Sequence, residues 1–177
     1  KETREFAGGI LAECASHVGT TPLRNMITVG GNITQLRVWS DLPALLLTLD
    51  AEIVVNGEGG EESYTAADFF HRHPARLLAD SDLVTEIKLP LEVQNYRGAY
   101  TKFSKTEDGY AAVSVSAAVD FAGDTAEDVC LGVGSASPSP TRCEAAEEKV
   151  AGQQITDSLA AEAGEIVREE VEAAIGE

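Results

Sequence analysis

The sequence predicts an α+β fold, and three patterns carry that prediction. Near the start, Phe6, Ile10, Leu11, Cys14 and Val18 recur at helical spacing. In the middle, Val113, Val115, Ala117 and Val119 alternate with Ser114, Ser116 and Ala118, the period of a strand. At the end, Leu159, Ala163, Ile166, Val167, Val171, Ala174 and Ile175 form one apolar stripe, the mark of an amphipathic helix. A chain of 177 residues allows one ordinary domain or two small ones. A break near residues 91–95 divides it into an expected first unit, 1–92, and second unit, 93–177.

Taken in order, residues 5–17 are expected to be helical, with Gly8 and Gly9 weakening the start. His17 falls near the end of that helix and takes a structural or solvent-facing role. Gly19–Ile27 is expected to be a loop, because Thr20, Thr21, Pro22 and Asn25 oppose a regular element. Arg24 would fix the loop through carbonyl or carboxylate contacts, or approach a phosphate. Ser40 or Asp41 can cap a buried helix over Ala44–Leu49, with Pro43 in its first turn.

Ala51–Asn56 and Glu61–Tyr64 are expected to pair as a hairpin across Gly57–Gly60. Thr65 to Asp68 suits a capping box ahead of Phe69 and Phe70. Leu83–Leu89 is a strand that Pro90 ends. Beyond the break, Arg97–Phe103, Tyr110–Phe121 and Val129–Val133 are strands, and Ser135–Pro140 is a loop. Thr141 is expected to cap a helix running through Val150.

Composition removes several function classes. The net charge is −17, from 30 acidic and 13 basic residues. Such a field repels nucleic acid and anionic membrane surfaces. It fits a chain kept soluble at high salt, so a halophilic source is one expectation and an ordinary acidic cytoplasmic protein the other. Cys14, Cys130 and Cys143 form no CxxC pair, which argues against a disulfide scaffold or a metal cluster built by this chain. No apolar run is long enough for a transmembrane helix, and no signal segment opens the chain. The first residue is Lys1 rather than a methionine, so an upstream part is expected to be missing.

The chemistry allowed is narrow. GxSxG, GxGxxG and the Walker A motif are all absent. His71 and His73 sit two apart with no third ligand near, so no metal is expected there. The stretch Thr28-Val29-Gly30-Gly31-Asn32 stands out. Paired glycines beside Thr and Asn either make a tight turn or form a loop of N–H groups that meets a phosphate-bearing cofactor. Asp41 is either a helix cap alone or also an acceptor for a ligand. Lys102, between Tyr100 and Phe103, is either a solvent-facing strand lysine or a cation for a ligand.

Several segments together resemble the flavin-binding medium subunit of the molybdenum hydroxylases, the group of aerobic carbon monoxide dehydrogenase and xanthine dehydrogenase. They are His17-Val18-Gly19, Leu23-Arg24-Asn25, Thr28-Val29-Gly30-Gly31-Asn32-Ile33 and Ser40-Asp41-Leu42-Pro43, then Leu83 through Pro90 and Tyr100-Thr101-Lys102-Phe103. The resemblance implies the second lobe of a PCMH-type FAD-binding domain, followed by a small C-terminal domain of antiparallel sheet and helices. It implies FAD contacts at Thr28, Gly30, Gly31, Asn32, Asp41, Val84 and Lys102, with Leu83 beside Val84, and no catalytic acid or base. FAD would carry the chemistry, and the protein would position and tune it.

The family's first FAD lobe has no counterpart here. A complete FAD site would need that lobe, from a separate chain or from a longer parent of which this is a fragment. The resemblance further implies a molybdenum-binding large subunit and an iron–sulfur small subunit as partners, which would hold the molybdenum cofactor and the clusters. Electrons would pass from iron–sulfur centres through FAD to an external acceptor. Two alternatives stand beside this reading. One is a structural or assembly module that keeps the fold without flavin, and the other is a small-anion module built on Gly30 and Gly31.

Overall fold

The computed structural model describes residues 5–106 and 108–176. Helix α1 (Ile10–Ser16) starts after Gly8 and Gly9, whose φ values of 68° and 89° turn the chain out of a preceding 3-10 turn. Ile10 and Cys14, one helical turn apart, are its buried positions. The expected loop over 19–27 contains a short helix instead, α2 (Thr21–Arg24), with Pro22 in its first turn. The glycine stretch is likewise helical. Thr28 is the cap of α3 (Val29–Gln35), and its Oγ1 accepts from the Gly31 N–H at 3.0 Å.

Helix α4 (Leu42–Thr48) follows, with Pro43 in the first turn as expected. Asp41 stands at its N-cap position but makes no capping bond with its side chain. Strands β1 (Glu52–Gly57) and β2 (Gly60–Thr65) form the expected hairpin. Thr65 then caps α5 (Ala66–His71), its Oγ1 accepting from the Asp68 N–H at 3.0 Å. Strand β3 (Leu83–Lys88) returns along the free edge of β1, giving an antiparallel sheet ordered β2-β1-β3.

The second sheet is a meander of β4 (Arg97–Ser104), β5 (Ala111–Ala122), β6 (Thr125–Gly134) and the two-residue β7 (Thr141–Arg142). Strand β6 begins four residues earlier than the sequence predicts, because the hairpin pairs down to Ala122 opposite Thr125 around Gly123. Thr141 caps no helix. It pairs with Val133, and α6 (Glu144–Val150) starts only after Cys143. Strand β8 (Gln153–Gln154) pairs with the start of β6. Thr156 caps the last helix, α7 (Asp157–Ile175), at 3.2 Å from the Leu159 N–H.

Helix α4 lies between two cores. Leu46 and Leu47 join Ile33, Ile53, Val55, Phe69 and Phe70 against the first sheet. Leu45 and Leu49 join Ile10, Cys14, Tyr100, Ala118 and Cys130 against the second. Each such buried leucine contributes about 1.5–3 kcal/mol of apolar burial. The helix comes so close to β6 that a Cβ at Gly132 would lie 2.2 Å from Thr48 Oγ1 and 3.0 Å from the Ala44 carbonyl oxygen. Arg142 ties the far end of α4 to α6, donating to the Leu47 carbonyl at 2.9 Å and pairing with Asp50 and Glu147. Helices α6 and α7 cover the other face of the second sheet through Val150, Leu159, Ala163, Ile166 and Val171.

Candidate functional site

A groove of about 640 Å³ opens beside the first sheet. Thr28, Gly30, Gly31 and Thr34 of the α3 end form one wall. Ala75, Leu78 and Ala79, with Asp80, Asp82, Leu83 and Val84, complete its lining. Four predicted residues, Thr28, Gly30, Gly31 and Val84, therefore meet in one groove, with Leu83 beside them. Its size lies in the range of small-molecule and cofactor sites.

The glycines act by lacking a side chain. Neither has positive φ, and both are helical, so the expected loop of N–H groups is the first turn of α3. A Cβ at Gly30 would meet nothing within 4 Å, so bare backbone faces the open groove. The Gly31 N–H is taken by Thr28, and the Asn32 N–H bonds the Thr28 carbonyl at 3.0 Å. The first-turn donors left for a ligand are those of Val29 and Gly30. Asn32 does not line the groove, and its Oδ1 is buried without a hydrogen-bond partner.

Asp41 and Lys102 lie elsewhere. Lys102 Nζ is 3.3 Å from Asp41 Oδ1, and the two side chains are 3% and 6% exposed. Tyr100 donates its hydroxyl proton to Asp41 Oδ1 at 2.7 Å, and Lys102 also donates to the His17 carbonyl at 2.8 Å. Burial pushes the Tyr100 hydroxyl far above its ordinary value, with Cys14 and Asp41 adding to the shift. Burial, then Asp41, does the same to the Cys14 thiol. Asp41 thus spends its side chain on Tyr100 and Lys102 across the seam between α4 and β4, which is why it does not cap α4. Arg24 is a loop-fixing residue, donating to the carbonyls of Ser16, Val18 and Gly19.

Two groove residues, Thr34 and Asp82, lie outside the motifs of the sequence. Thr34 lies one helical turn beyond Gly30 and donates to its carbonyl at 2.8 Å. Asp82 accepts from the Ala79 N–H at 2.9 Å and ties together two residues of the groove lining. Gly57 was the available signal for Asp82, since a Cβ there would lie 2.0 Å from the carboxylate. Tyr100, away from the groove, lies inside the Tyr100-Thr101-Lys102-Phe103 motif and owes its importance to the bond with Asp41. Among the described residues, no group of three or more His, Cys, Asp or Glu could hold a metal.

The residues present fit a cofactor on one count: bare backbone at Gly30 faces open space in a groove of about 640 Å³. Residues 3–92 match the model described as the FAD binding domain in molybdopterin dehydrogenase. Residues 98–176 match the CO dehydrogenase flavoprotein C-terminal domain. The chain is 32% identical over 142 residues to a glyceraldehyde dehydrogenase medium chain from Sulfolobus acidocaldarius, covering 80% of this chain and 50% of that one. It is 26% identical over 147 residues to a carbon monoxide dehydrogenase medium chain from Hydrogenophaga pseudoflava, covering 83% and 51%. Reconstituted CO dehydrogenase from Oligotropha carboxidovorans has the same fold, with a TM-score of 0.87 at 20% identity over 94% of this chain and 58% of that one. The chain spans about half the length of the curated relatives it matches.

Proposed function

We propose a function from one premise: this chain belongs to the family of FAD-binding medium subunits of molybdenum hydroxylases. On that premise it is the flavin-binding, electron-transfer part of such an enzyme. It would work with a molybdenum-binding large subunit and an iron–sulfur small subunit that hold the remaining cofactors. It would pass electrons from the iron–sulfur centres through FAD to an external acceptor, and would not act alone. A cytoplasmic location accompanies this reading. Among the described residues, no helix is long and apolar enough to cross a membrane.

The observation that carries the reading is the bare backbone of Gly30 in a groove walled by Thr28, Gly31, Leu83 and Val84. FAD, when bound, supplies the one- and two-electron chemistry that no side chain offers. The chain's part is to bind and orient. Gly30 and Gly31 let the ligand approach the main chain, and Leu83 and Val84 present an apolar wall. Asp41 and Lys102 belong to the proposed set, and each would reach a cofactor by exchanging its present partner. The open side of the groove would be closed by the first lobe.

Gly30→Leu tests this directly. The new side chain enters open space and suits a helix better than glycine, by about 0.5–1 kcal/mol. Co-expressed with the family's first lobe, the native chain should co-elute with flavin absorbance, and the variant should fold equally well and lose it. Flavin retained at full stoichiometry by Gly30→Leu would remove the groove from the proposal.

A second reading is a structural or assembly module that keeps the fold without flavin. One observation favours it: Asp41 and Lys102 are buried against each other as an ion pair, so each already has a partner within this chain. Under this reading the native chain and the Gly30→Leu variant would both elute without flavin, whatever lobe is supplied.

A further inference from the structure

Residues 69–79 contain no acid, in a chain with 30 of them, and hold two arginines and two of the three histidines. The structure gathers this segment around a second hollow of about 260 Å³, lined by Asp68, His71, Arg72, Arg76 and Leu77. Among the described residues, neither Arg72 nor Arg76 has an ion-pair partner. Asp68, the one acid in the lining, is engaged by the Thr65 hydroxyl at 2.8 Å. The end of α5 favours a cation near His71 and Arg72 through the helix dipole. That accounts neither for Arg76, beyond the helix, nor for the missing acids.

We propose that this hollow is a binding site for a phosphate or diphosphate ester. Two guanidinium forks four residues apart can each grip phosphate oxygens in a bidentate manner. The turn that presents Arg76 is held in advance. His73 Nδ1 accepts from the Ala75 N–H at 3.2 Å, and the Arg76 N–H bonds the His73 carbonyl at 2.8 Å. The same turn separates the hollow from the groove, since Ala75 lines the groove and Arg76 lines the hollow. A ligand crossing the turn would place an apolar or ring portion in the groove and its phosphate on the arginines. The phosphate has two chemical sources: the diphosphate of FAD itself, or that of a separate nucleotide. The site goes beyond the flavin reading and does not need it.

The test is a titration of the isotope-labelled 177-residue chain with inorganic pyrophosphate at low ionic strength, read by amide shifts. The expected result is a saturable shift confined to Asp68–Leu77. Arg72→Gln/Arg76→Gln should weaken binding at least about tenfold, as befits two lost charge-assisted bonds. Both arginines are exposed, so the double variant should keep the native circular dichroism. Absence of a saturable shift there, or the same affinity in the folded double variant, would overturn the proposal. Competition then separates the sources. FAD displacing pyrophosphate far better than ADP assigns the site to the cofactor's diphosphate, and equal displacement assigns it to a separate nucleotide.

Discussion

Asp41 and Lys102 form a buried pair that each needs. Asp41→Asn would leave the lysine charge without its partner in a site that is almost dry, a loss of about 3–5 kcal/mol. Lys102→Met would leave the carboxylate with only Tyr100. The double variant removes both charges and should be less unstable than the two losses added together, with a coupling of about 0.5–3 kcal/mol in urea unfolding. Strict additivity would mean that the pair is not formed in solution. The three free cysteines make a second residue-level case, because all are buried. Burial pushes Cys130 up to about 11 and Cys143 up to about 12 from the ordinary 9.0. Folded thiols that hold their protons more tightly than unfolded ones favour the fold fully below pH 9, and that advantage fades as pH climbs toward 11–12. The urea midpoint should therefore fall across this alkaline window, and a thiol reagent at pH 9 should label the native chain far more slowly than the unfolded one.

At the scale of the element, α3 depends on its cap. Two glycines in its first turn cost about 1 kcal/mol each relative to alanine. Thr28→Ala removes the bond to the Gly31 N–H and should cost about 0.5–2 kcal/mol. Hydrogen exchange should show that loss as faster exchange over Asn32–Gln35, and Thr28→Ser should restore the protection. The same glycines explain why the sequence hid this helix. Propensity opposes it, while the Thr28 cap and the burial of Ile33 and Leu36 impose it. The strands were legible because the two-residue alternation of β5 survives into the structure, with Ser114 and Ser116 inward and Val115 outward. The onset of α6 was not legible, because it depends on Thr141 pairing with Val133 rather than on any local signal. Thr28, Gly30, Gly31 and Val84 line one cavity. The closure of Asp41 onto Lys102 joins residues 61 apart, a contact that no local spacing encodes.

At the scale of the whole molecule, the dominant quantity is the charge of −17. Its self-repulsion is long-ranged in dilute buffer and screened to about 3 Å at 1 M salt. The melting temperature should rise steadily with added potassium chloride, and calorimetry that shows a flat or falling trend would contradict a charge-limited fold. Helix α4 has a mechanical consequence. Seated on Gly132 without a side chain between them, and gripped at its far end by Arg142, it leaves no soft joint between the groove's supporting sheet and the strands behind it. On the proposed reading, the groove wall that this chain supplies is a fixed anvil. Any clamping and release of a ligand held against α3 falls to whatever closes over its open side.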